Sequence, residues 1–342
     1  MRTLVMAMVT ISTLLWPPPL ATAQSVGQVF DKVNGSVVVI RAKSQDAPDS
    51  GSGFVSFSET GSGVLISADG KVMTASHVVQ AMDEINVEFI GGETVRARVV
   101  ASEPAADLSL LQLERVPRGA LVAKLADSNA VRVGDPVIVI GAPYGLSHSL
   151  TTGLISARWP PNSVYRRMPM AEFFQTDAVI NTGNSGGPMF NMTGEVIGIV
   201  SHNISKSGGS EGLGFVVTIN TAKQFLLEKH SFWSGMEGEL VSGRLAALFN
   251  VPQPVALLVT AVAKDSPSAR AGVRAGDMKA TIGGQTYTVG GDIILKIDGL
   301  VLGTVADLVK VREHLGNLAS GKTYTITVLR AGKVMDLTGR VP

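Results

Sequence analysis

The stretch Asn181-Thr182-Gly183-Asn184-Ser185-Gly186-Gly187-Pro188 separates the apolar run Ala178-Val179-Ile180 from Val196-Ile197-Gly198-Ile199-Val200. Apolar runs this short, punctuated by glycine and proline, read as buried strands. A chain carrying them must bring strands together across tight turns, and 38 glycines in 342 residues extend that demand over its whole length. The fold class expected is mainly β. Glycine on both sides of Ser185 lets the backbone enter conformations closed to other residues and brings its N–H groups close to anything docked at the hydroxyl. A serine among converging amides suits acyl transfer. An ordinary strand-to-strand turn has the same composition, so the choice falls to the rest of the chain.

A chain of 342 residues with 45% hydrophobic residues can bury the cores of two domains. The net charge of +1 comes without a basic run, and aromatic residues are 5% of the total, so neither nucleic acid nor an anionic membrane surface is expected as a partner. There is no cysteine and therefore no disulfide. No cluster with metal-ligand spacing is visible, and no cofactor is expected.

The N-terminus places Arg2 before an apolar segment from Leu4 to Leu15, then Pro17-Pro18-Pro19 and Ala21-Thr22-Ala23. This reads as a signal peptide over 1–23 with an A-x-A cleavage site. The apolar part is shorter than the ~20 residues of a spanning helix; an uncleaved anchor is the other reading. The mature chain is expected to begin near Gln24, in the periplasm or outside the cell, and to contain no transmembrane segment.

Two further residues stand at strand boundaries. Lys71 to Ala75 runs as a strand into Ser76-His77-Val78-Val79, and Asp107 heads the apolar strand Leu108 to Leu113. A histidine among apolar neighbours can be a hydrogen-bonded core residue, and a lone aspartate there can be a turn or cap. An acid entering a buried strand needs a partner, however, and His77 is the natural one. Other strands are expected over 36–41, 61–66 and 93–100, with a small, polar loop over 42–60. A helix over 220–229 would have Asn220 as cap.

Thr74-Ala75-Ser76-His77, Asp107-Leu108-Ser109-Leu110-Leu111 and Gly183-Asn184-Ser185-Gly186-Gly187-Pro188 resemble, in that order, the three catalytic blocks of trypsin-like serine proteases. Gly141-Ala142-Pro143-Tyr144-Gly145, Thr152 to Ala157, Gln175-Thr176-Asp177 and Gly214 to Val217 resemble segments of the HtrA/Deg branch. The C-terminal part resembles a PDZ domain of the same type, through Ala271-Gly272-Val273, Gly290 to Ile294 and a helix over 304–314. A chymotrypsin-like double β-barrel over 24–230 followed by a PDZ domain over 231–342 is the implied architecture.

The resemblance implies an exported, ATP-independent serine endopeptidase acting on misfolded or exposed polypeptides. Ser185 would be nucleophile, His77 general base and Asp107 its orienting partner, with the amides of Gly183 and Ser185 as oxyanion hole. Val179 and Ile180 would form the base of the pocket and Phe215 a wall; with no acid there, cleavage after small or medium aliphatic residues follows. Asn184 cannot pair with a new N-terminal ammonium, so control is expected in the loops 158–170, 181–183 and 205–212. Ser234, Gly235 and Met236 fall at the family's carboxylate-binding loop for C-terminal peptides, where Ser234 departs from the usual apolar residue. A homotrimer or larger assembly is implied. The alternatives are a PDZ-containing chaperone or peptide-binding scaffold with little or no proteolysis, and an esterase, disfavoured because the nucleophile is not in a Gly-x-Ser-x-Gly strand-to-helix elbow.

Overall fold

The computed structural model describes residues 24–49, 53–146, 148–165, 168–229 and 231–342. The expected signal peptide lies outside them. The strands β1 Val37–Asp49, β2 Gly53–Leu65, β3 Lys71–Thr74, β4 Glu84–Glu88, β5 Thr94–Glu103 and β6 Leu108–Leu113 close into an antiparallel barrel in the order β1-β2-β3-β6-β5-β4. Next come β7 Lys124–Leu125, β8 Pro136–Gly141, β9 Ser149–Trp159, β10 Phe173–Thr176, β11 Pro188–Asn191, β12 Glu195–Asn203 and β13 Gly214–Thr218. Six of these form the order β11-β8-β9-β10-β13-β12, and a β11–β12 pairing closes the second barrel; β7 adds to β12 in parallel.

Several strands are apolar on both faces, which a solvated sheet would not allow. Val38 and Ile40 of β1 pack inside the first barrel with Leu65, Val72, Val87 and Leu111. Val37 on the other face joins Leu108, Leu110, Ile138, Ile140, Phe190 and Ile199, a cluster drawn from both barrels. Along β8 the alternation repeats: Val137 and Val139 fill the second barrel with Phe174, Ile197 and Val216, while Ile138 and Ile140 face the seam. The seam is thus a third core, and the site lies along it.

The sequence-expected loop over 42–60 is in fact mostly hairpin. β1 and β2 stay paired from Val37↔Val64 out to Asp49↔Gly53, with a register shift between Gln45 and Pro48. Backbone pairing there needs no apolar side chain, which is why a polar composition concealed it. The helix expected over 220–229 is α-helical only over Ile219–Lys223 and continues as a π-helical turn, Gln224–Glu228. Its cap is Thr218, and Asn220 instead bonds Asp127 Oδ1 (2.7 Å) and accepts from the Ser128 amide (3.3 Å).

The C-terminal domain has the sheet order β14-β15-β18-β20-β21, from β14 Met236–Ser242, β15 Val255–Val262, β18 Ile293–Ile297, β20 Thr323–Arg330 and β21 Lys333–Arg340. β16 Met278–Ile282 and β17 Gln285–Val289 form a separate hairpin, and β19 Leu300–Val301 pairs with β18. The helix Val305–Gly316 begins at Thr304, whose hydroxyl accepts from the Asp307 amide at 3.2 Å. Between this helix and β14, an edge strand, runs a groove of about 750 Å³ lined by Phe232, Met236, Leu257, Leu308, Val311 and Tyr324. Gln80 and Glu103 of the first barrel line the same groove.

Phe190 is fully buried on the seam. Phe190→Ala should lower stability by about 3–5 kcal/mol, measured by urea unfolding; a loss under about 1 kcal/mol would mean that the seam is not a packed core.

Candidate active site

Asp107 is buried to 3% exposure and takes the left-handed backbone conformation (φ 54°) between a 3-10 turn, Pro104–Ala106, and β6. Short polar residues tolerate that conformation best. Its carboxylate needs donors, and three converge on it. His77 Nδ1 lies 3.0 Å from both oxygens, the His77 amide donates to Oδ1 at 3.1 Å, and the Ser201 hydroxyl donates to Oδ2. His77 sits in a short helix, Ser76–Val79, whose first amide bonds the Asp107 carbonyl (3.2 Å). The two residues are therefore fixed through main chain and side chain alike.

Burial would push the Asp107 carboxyl up, but the charge of His77 and the three hydrogen bonds hold it below its usual value. Burial, the largest single influence on His77, pushes it down, but the charge and the hydrogen bond of Asp107, with smaller contributions from Glu59 and Glu237, together raise the imidazole above its ordinary value. His77 remains 43% exposed in its side chain. It opens onto a cavity of about 210 Å³ shared with Ser185, Gly183, Ile180, Ser201 and His202.

The turn that carries Ser185 is shaped from the first barrel. The Ser62 hydroxyl donates to the Gly183 carbonyl (2.7 Å) and accepts from the Ala142 amide (2.9 Å), while the Ser62 amide bonds the Ser185 carbonyl (2.8 Å). Gly183 has φ 101°, and a Cβ there would lie 2.1 Å from the Ala142 carbonyl oxygen. Gly186 (φ 82°) would clash with Thr74 and Ser62. Neither position admits a side chain.

The amides of Asn184, Gly186 and Gly187 bond Asn181, Val200 and Asn184 carbonyls at 3.0, 2.7 and 2.9 Å. Those of Gly183 and Ser185 donate to no acceptor among the described residues. The Thr182 carbonyl is held by the Tyr144 amide at 2.9 Å, so the planar trans peptide turns the Gly183 N–H the opposite way. The Ser185 hydroxyl donates to the Ser201 carbonyl at 3.1 Å. Two amides without acceptors beside a hydroxyl, an imidazole and a buried carboxylate can stabilise a developing oxyanion and move a proton.

Of the expected pocket residues, Ile180 lines the cavity and is buried. Val179 does not line it: its side chain is 45% exposed, because its carbonyl is held by Thr151 and Asn184 and the alternate residue turns outward. Phe215 is buried but set back behind His202, whose ring stacks on it at 5.4 Å and 10°. His202 and Asn203 supply the wall instead. Ser201 and His202 are the residues that sequence reasoning missed. The only local signal was a serine and a histidine interrupting β12.

At the C-terminal groove, Gly235 has φ 72° and a Cβ there would lie 2.2 Å from the Ser266 Cβ. Ser234 receives the Ser268 amide on its carbonyl (3.1 Å), and Met236 opens the edge strand β14. The three residues thus sit at the head of the groove. Gln80 reaches across to the Met236 carbonyl (3.1 Å), Trp233 Nε1 bonds the Gln80 carbonyl (2.7 Å), and Arg312 pairs with Glu103 at 2.5 Å. Among the described residues no group of three His, Cys, Asp or Glu side chains could hold a metal, and no helix is long and apolar enough to cross a membrane.

Residues 61–199 match the trypsin-like peptidase domain and residues 235–341 match the PDZ domain. A DegP-like periplasmic serine endoprotease of Pseudomonas putida (strain GB-1) is 38% identical over 261 residues, covering 74% of this chain and 53% of the relative. One from Brucella suis biovar 1 (strain 1330) is 36% identical over 260 residues, covering 74% and 50%. The chain thus spans about half the length of these curated relatives. Among solved structures, the HtrA-type protease AlgW with a decapeptide superposes with a TM-score of 0.52 at 28% identity, over 92% of this chain and 98% of that one. AlgW with a tripeptide gives 0.52 and 28%, over 92% and 96%. With this double barrel, this order of site residues and a single PDZ domain behind them, the chain belongs to the HtrA/DegP-like family of trypsin-like serine proteases.

Proposed function

We propose that this protein is an exported, ATP-independent serine endopeptidase that cuts misfolded or exposed polypeptides after small or medium aliphatic residues. The observation that carries the reading is the buried Asp107 carboxylate bonded to His77, which itself opens onto the cavity it shares with Ser185. Ser185 attacks the scissile carbonyl as His77 accepts its proton; His77 later returns that proton to the leaving amine. Asp107 holds the imidazole in the tautomer with Nδ1 protonated and stabilises the imidazolium. The Gly183 and Ser185 amides take the oxyanion, where loss of one donor typically costs about 2.7–4 kcal/mol of barrier. Ile180, a buried aliphatic side chain in the lining of the cavity, supports the aliphatic preference; Glu59 is the acid among the other lining residues.

In this reading a signal peptide over 1–23 is removed, the peptidase domain spans 24–230 and the PDZ domain 231–342, and the mature protein works in the periplasm as a homotrimer or larger assembly. The periplasmic names of its relatives support the location. The peptide-bound AlgW structures support capture of C-terminal peptides at the groove headed by Ser234, Gly235 and Met236.

Control lies in the loops and the PDZ domain. The Ser185 hydroxyl is engaged with the Ser201 carbonyl and must turn to His77 before attack. All three loops named from the sequence touch the site's surroundings. Met170 bonds the Ala105 carbonyl (3.1 Å), Ser210 bonds the Asn181 side chain (2.9 Å), and Asn203 bridges Ile180 and Gly209. A peptide strand adding to β14 would compete with Gln80 for the Met236 carbonyl.

The mature chain should cleave β-casein, and Ser185→Ala should not; peptides ending in an apolar carboxyl terminus should raise the rate. Within a peptide series varied only before the scissile bond, Val should be cut faster than Arg, and the reverse order would remove the aliphatic assignment. Folded protein that suppresses aggregation without cleaving under any condition would move the function to a chaperone.

Attack requires neutral His77, whose pKa is raised. The acid limb of kcat/KM should therefore have its midpoint above the ~6.5 of an ordinary imidazole, rising with pH through it. By linkage, the His77–Asp107 contact adds stability that is full below the unfolded imidazole pKa and is lost as pH climbs through the raised folded value. A kcat/KM midpoint below 6 would contradict the charge assignment.

A further inference from the structure

We propose that His202 is a positioning residue for the Asp107–His77 pair, acting through the hydroxyl of Ser201. The proposal rests on the proteolytic reading above, and it starts from counting protons. Ser201 Oγ lies between the Asp107 carboxylate, which it bonds at Oδ2, and His202 Nδ1, 2.9 Å away. An ionised carboxylate only accepts, so the single Ser201 proton goes to Asp107. His202 Nδ1 must then carry the proton of the second bond and donate it to Ser201. The chain of donors runs His202 Nδ1–H to Ser201 Oγ–H to Asp107 Oδ2, while His77 Nδ1–H meets the same carboxylate from the other side.

The ring of His202 is placed to keep this direction. It stacks on Phe215 and meets the edges of Tyr165 at 3.9 Å and Phe173 at 5.6 Å. This enclosure disfavours an imidazolium and, against the attraction of Asp107, draws its pKa down to about 4. The ring therefore stays neutral while the enzyme works. Its Nε2 is buried with no partner among the described residues. A phenyl ring would satisfy the aromatic packing without that orphan acceptor, so the packing alone does not account for an imidazole. What the imidazole adds is the Nδ1 donor.

Without that donor, the Ser201 hydroxyl is free to rotate off Asp107; Met168 sulfur already lies 3.9 Å away. Asp107 would then lose one of its donors, and with it the constraint that presents its oxygens to His77. The Ser201 carbonyl also receives the Ser185 hydroxyl, so a loosened Ser201 is felt at both ends of the catalytic set. The effect falls on the chemical step, since His202 keeps its place in the wall of the cavity through its ring.

Two substitutions separate the donor from the ring. His202→Phe keeps the ring and removes the donor, whereas His202→Asn places a side-chain N–H where Nδ1 stood and removes the ring. In the full mature chain, with a peptide carrying Val before the scissile bond, His202→Phe should lower kcat about tenfold with KM changed less than twofold, and His202→Asn should retain kcat to within about threefold. Thermal melting monitors folding in each. A purely structural role predicts the reverse order, with His202→Asn the more damaged, and that result overturns the proposal.

A second readout needs no turnover. The chain has five histidines, and NMR of a histidine-labelled sample follows the His77 titration directly. The charges that act on His77 are Asp107, Glu59 and Glu237; those on His202 are Asp107 and His77, with the Tyr165 ring packed against it. Asp107 deprived of a donor becomes a stronger counter-charge, so the His77 pKa should rise in Ser185→Ala/His202→Phe and return toward the parent value in Ser185→Ala/His202→Asn. An unchanged His77 titration in the Phe variant overturns the positioning role. If the parent chain cleaves nothing yet this pattern holds, the proteolytic reading fails and the positioning of His77 by His202 stands.

Discussion

A carboxylate at 3% exposure on an apolar seam is costly to hold unless its oxygens are hydrogen-bonded and its charge is paired. Much of the local architecture around Asp107 answers that demand. One donor group, His77, comes from the first barrel with both ring and amide, and the other, Ser201, comes from β12 of the second. Neither barrel alone satisfies the carboxylate. The apolar cluster contributed by both, from Val37 and Leu110 to Phe190 and Ile199, is what keeps these donors in register. Packing and electrostatics are therefore not separable here: the seam excludes water from Asp107, and the exclusion makes each hydrogen bond to it stronger.

The serine turn obeys a different constraint. Around Asp107 the requirement is for donors, whereas around Ser185 it is for empty space and for amides left without acceptors. Ser62 meets part of it by holding the Gly183 and Ser185 carbonyls from the first barrel, which fixes the backbone without occupying the face where an oxygen would dock. The glycines meet the rest. A methyl group at 183 would meet the Ala142 carbonyl and one at 186 would meet Thr74, so the turn reaches its shape only with hydrogen at both positions.

These two constraints explain what was legible in the sequence. His77, Asp107 and Ser185 stood out because each interrupts a strand pattern at a boundary, and the glycines announced the backbone they permit. Ser201 and His202 lie within a strand, where a serine and a histidine are ordinary; their meaning comes from Asp107, 94 residues away from Ser201 in sequence. Val179 and Phe215 were misplaced for a related reason. Alternation along a short apolar run shows that one neighbour must turn out, but not which one, and the backbone bonds to Thr151 and Asn184 decide it. The hairpin of β1 and β2 was hidden because main-chain pairing leaves no mark on a polar composition.

Gln80 connects the two domains beside the residues that position Asp107 and His77. It caps the short helix that begins at Ser76 and carries His77, its amide bonding the Ser76 carbonyl at 2.9 Å. Its side-chain oxygen accepts from Ser102 (2.6 Å), which in turn touches Ser109 on β6 (2.9 Å), two residues from Asp107. Its side-chain nitrogen crosses to the carbonyl at the head of the PDZ edge strand. A neutral hydrogen bond of this kind contributes about 0.5–1.5 kcal/mol net. An added peptide strand forms several such bonds along β14, so the exchange is within reach of modest binding energies. A contact of several times that strength would lock the groove to the peptidase domain, and a much weaker one would carry no information between them. In the proposed function, the magnitude of the Gln80 contact, more than its presence, would let the edge strand β14 and the helix that carries His77 act on one another.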